Sequence, residues 1–166
     1  MYQSYPASDP AQQPQPLQPQ QPPSLRNAIR LMYAGAALEV VELIVALLTI
    51  SSLKAAILRA EPNYTATQLH NAQVASTVSL VVGAVITIGL WLWMAWANGR
   101  GRRWARIVSA VFFGINTVDL VVSFARVHAT ATVILAVLIW LVGLAALVLL
   151  FRKDSSAFYQ QQASPR

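Results

Sequence analysis

Three acidic residues and one amide stand inside apolar segments of the chain, where a charged group is costly. Glu39 and Glu42 interrupt the first such segment, and Asn116 and Asp119 interrupt the third. At about 1.5 Å per helical residue from near the segment starts, Glu39 and Asn116 lie about 15 and 16 Å deep. Glu42 and Asp119 lie about 20 and 21 Å deep on the same count. The four side chains therefore occupy two levels of matching depth in a membrane.

Carboxyl groups held together away from water can bind protons or cations. A central acid costs about 2.5 to 3.5 kcal/mol in a membrane, so three acids cost about 8 to 10 kcal/mol before any partner is found. No Lys, Arg or His lies at that depth. Burial and like charge favour neutral carboxyls unless water or a cation enters. We therefore identify Glu39, Glu42, Asn116 and Asp119 as an intramembrane polar cluster and a candidate proton or cation site.

Helical spacing places this cluster on one face of each segment. Steps of three and four residues align small and polar side chains along a single stripe. The stripes are Gly35, Glu39, Glu42, Ala46 and Thr49 in the first segment, and Ser109, Phe112, Asn116, Asp119 and Ser123 in the third. We expect both stripes to face the interior of a helix bundle and each other.

Two other hypotheses explain the acids without a binding site. Neutral carboxyls can hydrogen-bond Asn116, Ser109 or Thr49 as links between helices, each worth about 1 kcal/mol. Alternatively, the polar stripe faces a basic helix of another subunit, and the protein is one part of an assembly.

The elements that position these residues follow from composition. Of 166 residues, 56% are hydrophobic and only 11% are charged, with a mean hydropathy of +0.50. This leaves too little polar surface for a soluble globule, so a soluble enzyme is not expected. The chain has no cysteine, no nucleotide-binding fingerprint and no metalloprotease or catalytic-triad pattern. We therefore expect no enzymatic activity, no metal and no cofactor.

Four apolar segments predict four membrane spans. Each holds about the 20 residues that a helix needs to cross about 30 Å of hydrocarbon. Lipid cannot satisfy free backbone groups, so each span must be helical. The sequence predicts an all-α transmembrane four-helix bundle in residues 25–153, with spans at about 29–53, 74–97, 107–125 and 129–151 and a short tail at 154–166.

The N-terminal segment 1–24 differs sharply in composition. It contains seven of the nine prolines, seven glutamines and a single charged residue, Asp9. Such a stretch buries too little apolar area to offset its ordering entropy, which predicts a disordered Pro/Gln-rich tail. A second hypothesis is that this tail docks a cytoplasmic partner.

Basic residues predict the orientation. Nine flank one set of span ends and three flank the other, which places both termini and the middle loop in the cytoplasm of a multi-pass protein of the cell membrane. The first set is Arg26, Arg30, Arg100, Arg102, Arg103, Arg106, Arg152, Lys153 and Arg166; the second is Lys54, Arg59 and Arg126. The net charge of +6 therefore indicates a membrane surface and not nucleic acid.

The middle loop, residues 98–106, is glycine-rich and basic. It matches neither phosphate-binding glycine pattern, so we expect Arg100, Arg102, Arg103 and Arg106 to contact anionic lipid head groups. Its flanking tryptophans are typical of an interfacial belt: Trp91, Trp93, Trp96 and Trp104. Small residues in the second and fourth spans favour close packing, either within one bundle or in a homo-oligomer or a complex with another membrane protein.

Two short stretches resemble known proteins. W-A-N-G-R-G-R-R-W-A-R-I-V at 96–108 and F-R-K-D-S-S-A-F-Y at 151–159 resemble small four-span membrane proteins common in actinobacteria. That resemblance implies location and architecture and transfers no catalytic residue. A-G-A-A-L-E-V at 34–40 is similar to the first helix of small multidrug resistance transporters, which bears a membrane-embedded Glu. It implies an analogy of site only.

The function predicted first is a non-enzymatic accessory or scaffolding subunit of a membrane assembly. The alternative is a proton-coupled small transporter in which Glu39, Glu42 and Asp119 alternately hold protons and a cationic substrate. The surroundings of the acids distinguish the two. A water-reachable cavity favours transport, whereas a dry, hydrogen-bonded cluster favours a structural role.

Overall fold

The computed structural model describes residues 21–124 and 130–161. Its elements are α1 (Pro23–Leu48), α2 (Ile50–Ala60), α3 (Ala66–Gly99), α4 (Arg103–Phe124), α5 (Thr130–Leu150) and α6 (Lys153–Gln161). No strand occurs in these two ranges, which confirms the all-α prediction. The sequence predicts a disordered Pro/Gln-rich tail at 1–24, and residues 1–20 of this tail lie outside the described part.

Four helices, α1, α3, α4 and α5, are long and apolar enough to cross a membrane. Helix α1 packs along α3 and α5, and α4 packs on α5 and, less extensively, on α3. The four therefore form a ring in which α1 and α4 stand diagonally opposite. Exposed apolar side chains such as Val85, Ile107 and Val118 cover the outside, as lipid contact requires. The protein has the architecture of a multi-span membrane protein.

Local sequence signals set several helix ends. Helix α1 begins at Pro23, whose fixed φ and missing N–H suit a first helical turn. Helix α3 begins with a capping box, in which Gln68 N–H donates to Thr65 Oγ1 at 3.3 Å and Thr65 N–H donates to Gln68 Oε1 at 2.9 Å. The chain then reverses between α3 and α4 through Gly101, whose φ of 68° favours glycine.

The connection between the first two spans is mostly helical, whereas the sequence predicts a loop from 54 to 73. Helix α1 ends at Leu48, and α2 follows after Thr49, whose hydroxyl donates to the Val45 carbonyl at 2.8 Å. Helix α3 has 34 residues and so measures about 51 Å, well above the thickness of hydrocarbon. Hydropathy marks only the lipid-embedded part of a helix, which is why the polar start of α3 escaped prediction.

The opposite end of the bundle is more compact. Here α1 and α4 begin and α3 and α5 end, and we call it the basic end because it carries the arginine-rich turn of residues 100–106. Helix α6, which the sequence predicts only as a tail, packs against this end. Its Phe158 and Tyr159 are buried in one cluster with Leu25, Met94 and Leu150.

Helices α1 and α3 approach closely at Gly35. A Cβ atom at this position would lie 2.9 Å from Cη2 and Cζ3 of the Trp91 indole, closer than real Cβ contacts allow. Glycine is therefore required here so that the Trp91 ring can lie flat on the backbone of α1.

Substitution of Gly35 by alanine should destabilise the bundle. Overpacking costs about 1 to 3 kcal/mol, and the higher helix propensity of alanine offsets about 1 kcal/mol of that. We expect Gly35→Ala to lower the thermal midpoint in detergent. Gly89→Ala is the matched control, because nothing lies within 4 Å of its added Cβ. Equal thermal midpoints for the two variants would show that the Trp91 ring does not exclude a side chain at position 35.

Candidate functional site

A cavity of about 290 Å³ lies between the four long helices, and we call it the acidic cavity. Glu39 and Glu42 of α1 and Asn116 and Asp119 of α4 all line it, so the structure brings together the four residues selected from the sequence. Helices α3 and α5 complete the wall with mainly small or apolar side chains. The described lining residues include no basic side chain.

Helix geometry explains this meeting. Glu39 lies 16 residues after the start of α1, and Asp119 lies 16 residues after the start of α4. Both are therefore about 24 Å from the basic end of the bundle. Because α1 and α4 stand diagonally opposite in the ring, side chains at similar depths on the two helices line the same cavity.

The acids are not joined into a hydrogen-bonded cluster. Glu39 Oε1 accepts a long hydrogen bond of 3.4 Å from Trp91 Nε1. Within residues 21–124 and 130–161, no hydrogen bond connects Glu39, Glu42, Asn116 and Asp119 to one another. Glu39 and Glu42 are half-buried, whereas Asn116 and Asp119 are exposed. The cavity is therefore open along α4.

The partners expected for a purely structural role are engaged elsewhere. Ser109 accepts a hydrogen bond from Asn98 Nδ2 at 3.0 Å. Thr49 Oγ1 donates to the Val45 carbonyl of α1. For these two residues, the predicted links to the carboxyls are absent from the described hydrogen bonds. Ser123 completes the predicted stripe on α4, and its side chain lies outside the described part.

A second cavity of about 280 Å³ adjoins the first on the side of the basic end. Its lining is aromatic and apolar, with Trp91, Phe112 and Phe113 among its members, and we call it the aromatic cavity. Thr87, Asn116, Asp119 and Ile139 line both cavities. The two spaces are therefore neighbours that share a polar boundary.

Trp91 occupies a different place from the interfacial belt that the sequence predicts. Its ring is half-buried against Gly35, and its N–H points to Glu39. The rings of Trp93 and Trp104 pack with their centroids 5.4 Å apart and their planes tilted by 43°, and both remain exposed, as belt residues do. One indole of the four is thus part of the site.

Asn98 is the most completely bonded polar side chain of the basic end, and sequence reasoning missed it. It is fully buried. Its Oδ1 accepts from the Tyr159 hydroxyl at 2.9 Å, and its Nδ2 donates to the Met94 carbonyl at 2.9 Å and to Ser109 Oγ at 3.0 Å. The available signal was a polar amide within an otherwise apolar helix end, because a buried amide requires several partners.

The four arginines of the basic turn divide into two pairs. Arg100 and Arg102 lie over the Trp96 ring at 3.9 and 4.9 Å and are exposed, so head-group contact stays a prediction for them. Arg103 Nε instead donates to the Tyr159 carbonyl at 3.1 Å. Arg106 lies 4.0 Å above the Phe151 ring. Lipid contact therefore stays a prediction for all four arginines, and Arg103 and Arg106 also contact Tyr159 of α6 and Phe151, respectively.

Comparisons with known proteins add no family. The chain matches no protein-family model, no curated protein and no solved structure. Function is therefore inferred from the cavities and the basic end.

The Tyr159 hydroxyl should give the protein a distinct alkaline transition. Burial raises the pKa of Tyr159 to about 12, while the Arg106 charge opposes the shift. An unfolded tyrosine titrates near pH 10, so the stabilisation is complete below about pH 10 and is lost as the pH rises towards about 12. We expect Tyr159→Phe to remove this part of the alkaline loss of thermal stability in detergent.

Tyr64→Phe provides the control for this titration, because Tyr64 is exposed. Its stability profile between about pH 9 and pH 12 should follow that of the unaltered protein. Identical alkaline slopes for Tyr159→Phe and the unaltered protein would contradict the assignment.

Proposed function

We propose that this membrane protein is a proton-coupled small transporter of cations. The observation that supports this proposal is the acidic cavity, where Glu39, Glu42 and Asp119 share one space with no basic residue among the described lining. The four long helices all contribute to its wall. Sites between the helices of a bundle are common places for ligands.

The chemistry of coupling follows from competition for the same oxygen atoms. Several carboxylates that line one cavity repel each other, so their charge is balanced by protons or by a bound cation. A cation that binds these oxygen atoms displaces protons from them, because both compete for the same atoms. Exchange of protons for a cation at one site is the basis of coupled transport.

The cavity favours transport over the accessory role that the sequence ranks first. Buried polar groups with a purely structural role are normally hydrogen-bonded to protein groups. Here the carboxyls border a shared space and do not bond one another among the described residues. An acid that borders a cavity is accessible to an exchanging ligand, which a structural link does not need.

The proposed orientation places the basic end in the cytoplasm. Arg100 and Arg102 stand beside the exposed Trp96, and Arg152 and Lys153 follow α5 at the same end. This combination of cations and an aromatic ring suits a cytoplasmic interface. Asp119 then lies five residues, or about 8 Å, from the outer end of α4, so the acidic cavity is nearer the outer surface.

Proton movement in proteoliposomes tests the function. A trapped pH dye reports protons after an imposed gradient of Na⁺, K⁺ or tetramethylammonium. We expect at least one gradient to drive protons in the opposite direction, and Glu42→Gln to abolish this movement because an amide cannot exchange a proton. Glu61→Gln, the same change at an exposed acid outside the cavity, should leave it intact.

Two results would refute transport of these cations. One is equal proton movement by the Glu42→Gln protein and the unaltered protein. The other is the absence of movement with all three gradients in vesicles that contain folded protein.

A further inference from the structure

Helix α6 is fastened to three of the four long helices. Ser155 Oγ lies 2.9 Å from Ser24 Oγ of α1, and the Tyr159 hydroxyl donates to Asn98 of α3. From α4, Arg103 Nε donates to the Tyr159 carbonyl. The fourth long helix, α5, leads into α6 through two residues. A helix of nine residues thus joins all four helices at the basic end.

The side chains of α6 lie beneath the aromatic cavity. Met32, Met94 and Leu150 line that cavity and are at most 4% exposed, so they form its floor. Phe158 and Tyr159 belong to the same buried cluster as these three residues. The base of the cavity therefore has two layers, and α6 supplies part of the second.

A continuous set of hydrogen bonds connects α6 with the cavity wall. Tyr159 bonds Asn98, and Asn98 bonds Ser109, whose side chain lines the aromatic cavity. Removal of the Tyr159 hydroxyl would leave the buried Asn98 Oδ1 without its described donor. Displacement of α6 therefore costs free energy, because it breaks hydrogen bonds that continue to the cavity wall.

The cavities are open along α4 and closed at the basic end. Asp119 and Asn116 are exposed where they line the acidic cavity, whereas the floor at the basic end is buried. We propose that α6 is a strap that closes the basic end of the cavities and that its release opens them towards that face. The role of the strap as a gate for a transported substrate rests on the proposed transport function. The closure of the basic end by α6 can be measured without transport.

The strength of the fastening suits a reversible closure. Each intramolecular hydrogen bond contributes a small net stabilisation, and local openings that break a few of them occur under native conditions. Three described points of attachment of that size hold α6 firmly and still permit rare release. Loss of a single attachment should therefore increase the open population measurably.

Thiol labelling measures this opening directly. The chain has no cysteine, so Ala146→Cys introduces a single thiol at a buried position of the aromatic cavity. The reagent is a membrane-impermeant trimethylammonium methanethiosulfonate, added to either face of sealed vesicles. We expect Tyr159→Phe to raise the labelling rate from the α6 face about tenfold, because one buried hydrogen bond is lost.

Two controls separate opening from general loosening. Labelling from the opposite face should not change, because the strap does not close that route. Tyr33→Phe alters an exposed tyrosine and should leave both rates unchanged. An equal rise from both faces, or no rise from the α6 face, would overturn the strap. Neither outcome depends on proton movement, so failure here is distinct from failure of the transport proposal.

A disulfide lock gives the converse test. The 2.9 Å between the hydroxyl oxygens of Ser24 and Ser155 places a cysteine pair within bridging reach. In the Ala146→Cys, Tyr159→Phe background, oxidation of a Ser24→Cys, Ser155→Cys pair should return labelling from the α6 face to the slow rate. Oxidation of the matched pair Ser24→Cys, Ser156→Cys should not slow this labelling. Fast labelling despite a formed bridge would refute closure by α6.

Discussion

The organising constraint is the cost of carboxyl groups at depth in a membrane. Three acids on two helices are costly in lipid, and the ring places α1 and α4 so that the acids line one cavity, which is open along α4. The outer faces of the helices are consequently left to apolar side chains. Helix order, the depth of the acids and the apolar surface are thus consequences of one requirement.

Polar groups are treated differently at the two levels of the bundle. At the basic end, the Asn98 side chain forms hydrogen bonds through both its acceptor oxygen and its donor nitrogen. The Ser155 hydroxyl hydrogen-bonds the Ser24 hydroxyl and the Leu149 carbonyl. In the acidic cavity, by contrast, Glu39 has one long hydrogen bond. Fully satisfied buried groups fix a structure, whereas incompletely satisfied ones mark places where a ligand can compete. The hydrogen bonds between described side chains of different helices are therefore concentrated at the basic end, below the cavity of the proposed site.

Sequence reasoning predicted the parts that hydropathy and helical spacing determine. Four helical spans and similar depths for the acids of the first and third spans follow directly from counting residues. The pairing differs, because the sequence matches Glu39 with Asn116 and Glu42 with Asp119, whereas Glu39 and Asp119 are level in the structure. Helix α2 and the polar start of α3 were not predicted, although the types and spacing of Thr65 and Gln68 match a capping box in the sequence. The contact of Asn98 with Tyr159 joins residues 61 positions apart, and periodicity within one segment carries no information about such a pair.

Trp91 connects the two cavities physically. Its ring lines the aromatic cavity and lies on Gly35, while its N–H donates to Glu39 at the acidic cavity. A hydrogen bond to a carboxylate is about twice as strong as one to a neutral acceptor. A change in the charge of Glu39 therefore alters how firmly the indole is held, and the indole is itself a wall of the neighbouring space. Trp91 therefore links the wall of the aromatic cavity to an acidic residue of the neighbouring cavity through one long hydrogen bond.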